Sequence, residues 1–90
     1  MLNHVLISRN PDLLETTLDN EIVLMSIERG NYFGLEATAK HIWQLLELPQ
    51  TKEMLLQKLS NEYEAEREVI DRDLDDFLKK LLDNGVVITQ

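Results

Sequence analysis

The apolar positions of this chain change their period near residue 36. Before it they fall in short runs broken by turn residues; after it they recur every three or four residues. Val5-Leu6-Ile7 is an apolar run closed by the turn cluster Arg9-Asn10-Pro11-Asp12. Leu14-Glu15-Thr16-Thr17-Leu18 is extended in character, and Asp19-Asn20 offers hairpin-turn chemistry. Ile22-Val23-Leu24-Met25-Ser26-Ile27 is nearly all apolar, the pattern of an inner strand covered on both faces. Glu28-Arg29-Gly30-Asn31 makes the next reversal, with Gly30 free to take positive φ. Tyr32-Phe33-Gly34-Leu35 follows as a short aromatic strand. The pattern predicts a three-stranded antiparallel meander whose first and third strands are edges.

From Glu36 the period is helical. Leu35, Ala39, Ile42 and Leu46 fall on one stripe with Trp43 and Leu45 beside it, which places Trp43 in the core. Pro49 ends this first helix or follows its end. Thr51 is the expected N-cap of a second helix carrying Leu55, Leu56, Leu59 and Tyr63, with Glu53 in its first turn. A polar link, Glu64-Ala65-Glu66, leads to a third helix with the stripe Ile70, Leu74, Phe77, Leu78, Leu81 and Leu82. Its acids come early and its lysines late, as the helix dipole favours, and Asn84-Gly85 stops it. Val86-Val87-Ile88 can form one more strand, pairing with Val5-Leu6-Ile7. The fold class is α+β: a three-stranded antiparallel sheet followed by three helices, a winged helix-turn-helix-like layout. Residues 1–90 read as one domain, without repeats or linkers.

Charge decides against the usual business of that layout. Nine Lys and Arg stand against 17 Asp and Glu, a net of -8. From Glu62 to Asp76 there are eight acidic residues and two arginines, a net of -6. A third helix presenting Asp71, Asp73, Asp75 and Asp76 repels the phosphates beside a major groove, so nucleic acid is not the expected partner. The chain has no Cys, which excludes disulfides, thiolate metal sites and a Cys nucleophile. No apolar run reaches the ~20 residues of a membrane span, and the N-terminus lacks signal-peptide character, so a cytoplasmic protein away from membranes is expected.

Catalytic signatures are scarce. His4 and His41 lack metal-ligand spacing, Gly30, Gly34 and Gly85 form no phosphate loop, and Ser8, Ser26 and Ser60 have no nucleophile context. His41 reads as a surface or packing residue, and the carboxylates of Asp71 to Asp76 as a solvated face. No enzyme activity and no cofactor are expected. Binding has better candidates. The third helix carries more apolar residues than one seam needs, and an acidic rim beside an apolar stripe resembles a groove. Within it Phe77 is the expected anchor, rimmed by Asp73, Asp76 and Lys80. The strand from Asn31 to Leu35 is a short edge, with backbone groups open to an extended peptide. Gly34 lets such a peptide approach closely, or marks a bulge or the bend into the helix.

Taken in order, these segments resemble a known family. Ile22-Val23-Leu24-Met25-Ser26-Ile27, then Gly30-Asn31-Tyr32-Phe33-Gly34-Leu35, then Ile42-Trp43-Gln44-Leu45-Leu46 are similar to the PqqD-like domains. Asp73-Leu74, Phe77-Leu78, Leu81 and Gly85-Val86-Val87 continue the likeness, which spans about Leu14 to Ile88. These domains are recognition elements for ribosomally made, post-translationally modified peptides. The resemblance implies that the leader of a precursor peptide adds as a strand to the third strand and lies against the third helix. The residues so implied are Asn31, Tyr32, Phe33, Gly34, Leu35, Asp73, Leu74, Asp76, Phe77, Lys80 and Leu81. Tyr-Phe-Gly-Leu followed by Ile-Trp looks most like the standalone leader-binding proteins of lasso-peptide clusters, which work with a separate leader peptidase and a cyclase. The alternative is the peptide chaperone of pyrroloquinoline quinone synthesis, which works with a radical enzyme. Two positions depart from the family pattern: Glu36, where an Asn-type helix start is frequent, and Ala39, where Gly is common.

Overall fold

A computed structural model of the chain describes residues 4–90. In chain order the elements are β1 (Leu6–Arg9), β2 (Leu14–Leu18), β3 (Glu21–Ser26), β4 (Asn31–Leu35), α1 (Ala37–Leu45), β5 (Gln50–Thr51), α2 (Lys52–Glu62), α3 (Arg67–Asp83) and β6 (Val87–Thr89). The strands form two three-stranded sheets, one ordered β2-β3-β4 and the other β5-β1-β6. The first is the expected antiparallel meander, running without a bulge from Leu14↔Met25 to Leu18↔Glu21 and from Ile22↔Leu35 to Ser26↔Asn31. The expected pairing of the two chain ends is present in a shifted register, Ile7↔Thr89 to Arg9↔Val87. Arg9 thus belongs to the strand and not to the turn after it. The two-residue β5 pairs the other side of β1 and carries no apolar pattern that would announce it.

β3 departs from its expected burial. Ile22, Leu24 and Ser26 are buried, while Met25 on the opposite face is 47% exposed. The meander is covered on one face only, because the core lies to one side of it. The outward positions Val23 and Met25 are themselves apolar, so the alternation that marks a half-buried strand is masked in the sequence.

Residues from both sheets and all three helices meet in that core. Ile7, Leu24, Leu46, Leu55, Leu78, Val86 and Val87 are fully enclosed. Trp43 is buried as expected, at 3% exposure. Its indole N–H donates to Glu15 Oε1 at 2.9 Å, and the Arg9 guanidinium lies 4.3 Å from the ring centroid. Arg9 also donates two hydrogen bonds, 3.1 and 2.6 Å, to the Trp43 carbonyl. A cation there suits the negative end of the α1 dipole and ties the helix to β1.

α2 begins where the sequence places it: Thr51 Oγ1 accepts from the Met54 N–H at 3.1 Å. The acidic run of α3 is more than a solvated face. Lys52, with its side chain 8% exposed, reaches across from α2 to Asp71, and to Asp75 at 3.0 Å. Burial works against the lysine's charge, but the bonds it donates to Asp71 and Asp75, with their negative charge, outweigh it and hold its pKa above the usual value. Two of the carboxylates thereby fasten the helix pair.

Candidate functional site

The third helix has a wide apolar stripe, and only part of it is spent on the core. Leu74, Leu78 and Leu81 are buried, while Ile70, Phe77 and Leu82 pack against the core partly exposed. Ile70, Leu74 and Phe77 form one wall of a cleft of about 380 Å³. The opposite wall is Thr38, Ala39 and Ile42 of α1, and Leu59, Tyr63 and Ala65 close the α2 end. Alanine at positions 39 and 65 leaves room that larger side chains would fill. Among the described residues Asp73 is the one charged group lining the cleft. The result is an apolar trough with a single carboxylate at its side, suited to apolar side chains of an extended ligand.

The Tyr63 end is braced. His41 Nε2 of α1 lies against the Glu62 carboxylate, and its ring stands edge-on to Tyr63 at 6.2 Å between centroids. His41 therefore packs, as expected, and couples α1 to the end of α2.

β4 leads straight into the α1 wall of the cleft, and the hydrogen-bond geometry of the meander fixes which of its groups are free. The Asp19-Asn20 loop has two residues, so the flanking pair Leu18↔Glu21 is hydrogen-bonded and Glu21 turns its backbone toward β2. At the other end of β3 the Ser26 carbonyl accepts from the Gly30 N–H at 2.9 Å, so Ser26 turns toward β4. Glu21 and Ser26 are five residues apart and face opposite ways, as alternation requires. Ile22, Leu24 and Ser26 thus bond β4, and their partners Leu35, Phe33 and Asn31 spend their backbone groups inward. Tyr32 and Gly34 direct N–H and C=O to the open edge.

Side chains on β4 alternate in the same way. Asn31, Phe33 and Leu35 lie on the core face; Leu35 is buried and Phe33 half-buried, and Asn31 Oδ1 is enclosed without a hydrogen-bond partner among the described residues. Tyr32, 74% exposed, lies on the outer face. At Gly34 a Cβ would stand 2.6 Å from Glu21 Oε1, since the Glu21 side chain lies across the strand there. Glu21 shares a hydrogen bond with Glu36, which together with partial desolvation and the neighbouring negative charge raises its pKa above the usual carboxylate range. Glu36 is therefore engaged with Glu21 and makes no side-chain cap, and α1 opens with Ala37 at φ 49°.

The structure brings Asp73, Leu74 and Phe77 together in the cleft, with Asn31 to Leu35 on the adjoining edge. Leu81 sits in the core, and Asp76 and Lys80 are exposed on α3 outside the cleft lining. The α1 wall and the Tyr63 end were not singled out as site residues from the sequence. Ala39 and Tyr63 carried the available signal, a small residue on a helix stripe and an aromatic at a helix end. Among the described residues no helix is long and apolar enough to cross a membrane.

Comparison with known proteins supplies the family. Two solved structures are similar over nearly the whole chain. One is TbiB1 in complex with the TbiA(beta) leader peptide, with a TM-score of 0.80 and 32% identity, covering 89% of this chain and 93% of that one. The other is lasso peptide synthetase B1 complexed with the leader peptide, with a TM-score of 0.79 and 29% identity, covering 91% of this chain and 96% of that one. No curated protein sequence matches. The family described as coenzyme PQQ synthesis protein D (PqqD) matches residues 21–87, from the first residue of β3 to the first of β6. With that match over most of its length, the chain belongs to the PqqD family.

Proposed function

We propose that this protein binds the leader segment of a ribosomally synthesised precursor peptide in lasso-peptide biosynthesis and presents it to a separate leader peptidase and cyclase. The observation that carries this reading is the open β4 edge running directly into an apolar cleft between α1 and α3. The leader peptides bound by the two similar B1 proteins support it. The leader pairs as an antiparallel strand with the backbone of Tyr32 and Gly34. Its residue opposite Phe33 then projects to the helical side, toward the cleft and Phe77, while residues opposite Tyr32 and Gly34 project to the outer face. Main-chain pairing supplies generic affinity and the cleft supplies selectivity. The chain's own part is binding, without a catalytic group.

The net charge of -8 favours a leader with basic residues and speeds encounter at low ionic strength. The acidic α3 opposes duplex DNA. A fluorescence-polarisation titration with the labelled synthetic leader, its core segment and a DNA duplex tests the reading. Saturable binding of the leader alone is expected. Binding of the duplex with no binding of the leader would overturn it.

The second reading, the peptide chaperone of pyrroloquinoline quinone synthesis, draws on the family description. It uses the same edge and cleft with a radical enzyme as partner, and it is distinguished by which precursor's leader the protein retains.

A further inference from the structure

β2 is the other open edge of the meander, and leader binding at β4 does not use it. All five of its residues, Leu14 to Leu18, are exposed, and among the described residues no strand pairs its free side. Edge strands are commonly blunted by a bulge, a proline or an outward lysine. β2 has none of these: its sequence is Leu-Glu-Thr-Thr-Leu, in unbroken register with β3. Its one charge, Glu15, is turned to the core side, where the carboxylate accepts from the Trp43 indole at 2.9 Å and lies 3.8 Å from Arg9 Nη1.

The Leu18↔Glu21 closure also sets the parity of β2. Leu14, Thr16 and Leu18 bond β3, while Glu15 and Thr17 direct N–H and C=O to the open side. Antiparallel pairing of this edge with its own copy must match outward residues with outward residues. Three registers do so with an overlap of three residues or more. Centred on Glu15, that residue faces its own copy; centred on Thr17, Glu15 faces Asp19. Both set like charges directly opposite. Centred on Thr16, Glu15 faces Thr17, Leu14 faces Leu18, and Thr16 faces itself, so no acid of the strand meets an acid. We infer that β2 pairs antiparallel with β2 of a second copy about a two-fold axis at Thr16, joining the two meanders into one six-stranded sheet. By symmetry the Glu15–Thr17 pairs exchange four main-chain hydrogen bonds. Leu14 and Leu18, 54% and 58% exposed in the single chain, cover one another across the seam. The contact is smaller than the ~1,200 Å² of a standard interface, so the dimer is reversible. Each copy carries a net charge of -8, and that repulsion opposes pairing until salt screens it. Both β4 edges stay free at the two ends of the joined sheet.

The chain has no Cys, so Thr16→Cys introduces a single thiol on the axis. Opposite residues of a non-hydrogen-bonded pair lie about 4.5 Å apart at Cα, within disulfide reach. The control Leu14→Cys stands roughly 13 Å from its own copy along the strands. Under mild oxidation Thr16→Cys should cross-link about ten-fold or more faster than Leu14→Cys. Thr17→Pro removes an N–H that symmetry uses twice and spares the ladder to β3. Sedimentation equilibrium on wild type at up to about 1 mM should show a monomer–dimer equilibrium that tightens from about 0.05 to 0.5 M NaCl. Thr17→Pro, melting close to wild type, should lose about ten-fold or more in association. Polarisation should give cross-linked Thr16→Cys and wild type the same leader affinity. A wild type that is monomeric at both salt concentrations, equal cross-linking rates for the two thiols, or a folded Thr17→Pro that dimerises as wild type does would each overturn the proposal. So would a cross-linked dimer that has lost the leader while its reduced form keeps it. Should Thr17→Pro fail to fold, the cross-linking rates decide. Failure of wild type to bind leader at any salt concentration overturns the leader-binding reading and leaves the dimer standing.

Discussion

Proline placed along β4 reads out which backbone groups the leader uses. Proline removes one N–H and holds φ near -65°, so its effect depends on where that N–H points. The Tyr32 N–H faces the open edge and its side chain is 74% exposed, so Tyr32→Pro removes no ladder bond and little packing. Its expected cost to folding is about 1 kcal/mol, from adjusting φ on an edge strand. Its cost to binding is one main-chain hydrogen bond, about 1–3 kcal/mol, or roughly 5- to 150-fold in Kd. Phe33→Pro does the reverse. It deletes the bond to the Leu24 carbonyl, leaving a buried acceptor unpaired at about 1–3 kcal/mol, and strips a half-buried phenyl worth about 2–3 kcal/mol more. A domain of 90 residues has about 5–13 kcal/mol to lose, so this change takes a large share of it. At about 4–8 °C per kcal/mol, Tm should fall by roughly 15 °C or more. Asn31→Pro shares the inward parity and should also destabilise.

The assay is a thermal melt followed by polarisation with labelled leader, with Tyr32→Ala as the control for the lost ring. Tyr32→Pro should bind more weakly than Tyr32→Ala at nearly the same Tm. Equal leader affinity for those two variants would refute strand addition at this edge. Normal folding of Phe33→Pro beside unfolding of Tyr32→Pro would refute the assigned parity.

Three other perturbations follow from the same geometry. Phe77→Ala should weaken leader binding by about 2 kcal/mol, some 30-fold, with only a modest loss of Tm, and more than Asp76→Ala outside the cleft; polarisation on the two folded variants decides it. Trp43→Ala should cost about 3–5 kcal/mol of stability, because a buried indole is lost beneath Arg9; a variant that melts like wild type and loses only leader affinity would contradict its core role. Glu21 holds its proton more tightly folded than unfolded, so its ionisation destabilises the fold as pH rises through 4.5 and above. Glu21→Gln should therefore raise Tm at pH 7, and that gain should fade as pH drops below 4.5, where Glu21 is protonated in the folded and the unfolded chain alike; a gain independent of pH would point to another cause.

Local pattern was enough for much of this molecule. The change of period near residue 36 locates the strands and helices, because periods of about 2 and 3.6 are set by backbone geometry itself. Thr51 as an N-cap, the turn at Gly30, the core place of Trp43 and the acidic cast of α3 are likewise written in residue type and spacing. So is the likeness of the ordered segments to the PqqD family.

What remained depended on contacts between residues distant in the chain. The one-sided cover of β3 was hidden because Val23 and Met25 are apolar on the face that no element covers. The two-residue β5 exists only because β1 offers it a partner. The parity of β4 is set by the Leu18↔Glu21 closure on one side of β3 and the Ser26–Gly30 bond on the other, which together define the register. The cleft arises because the α3 stripe is wider than the core it meets, so Phe77 and Ile70 line a trough while Leu81 is enclosed. Lys52 and the acids of α3 lie 19 to 23 positions apart, and only the packing of α2 on α3 turns Asp71 and Asp75 into a clamp. Sequence periodicity states which face of an element is apolar; which part of that face stays open is decided by what packs against it.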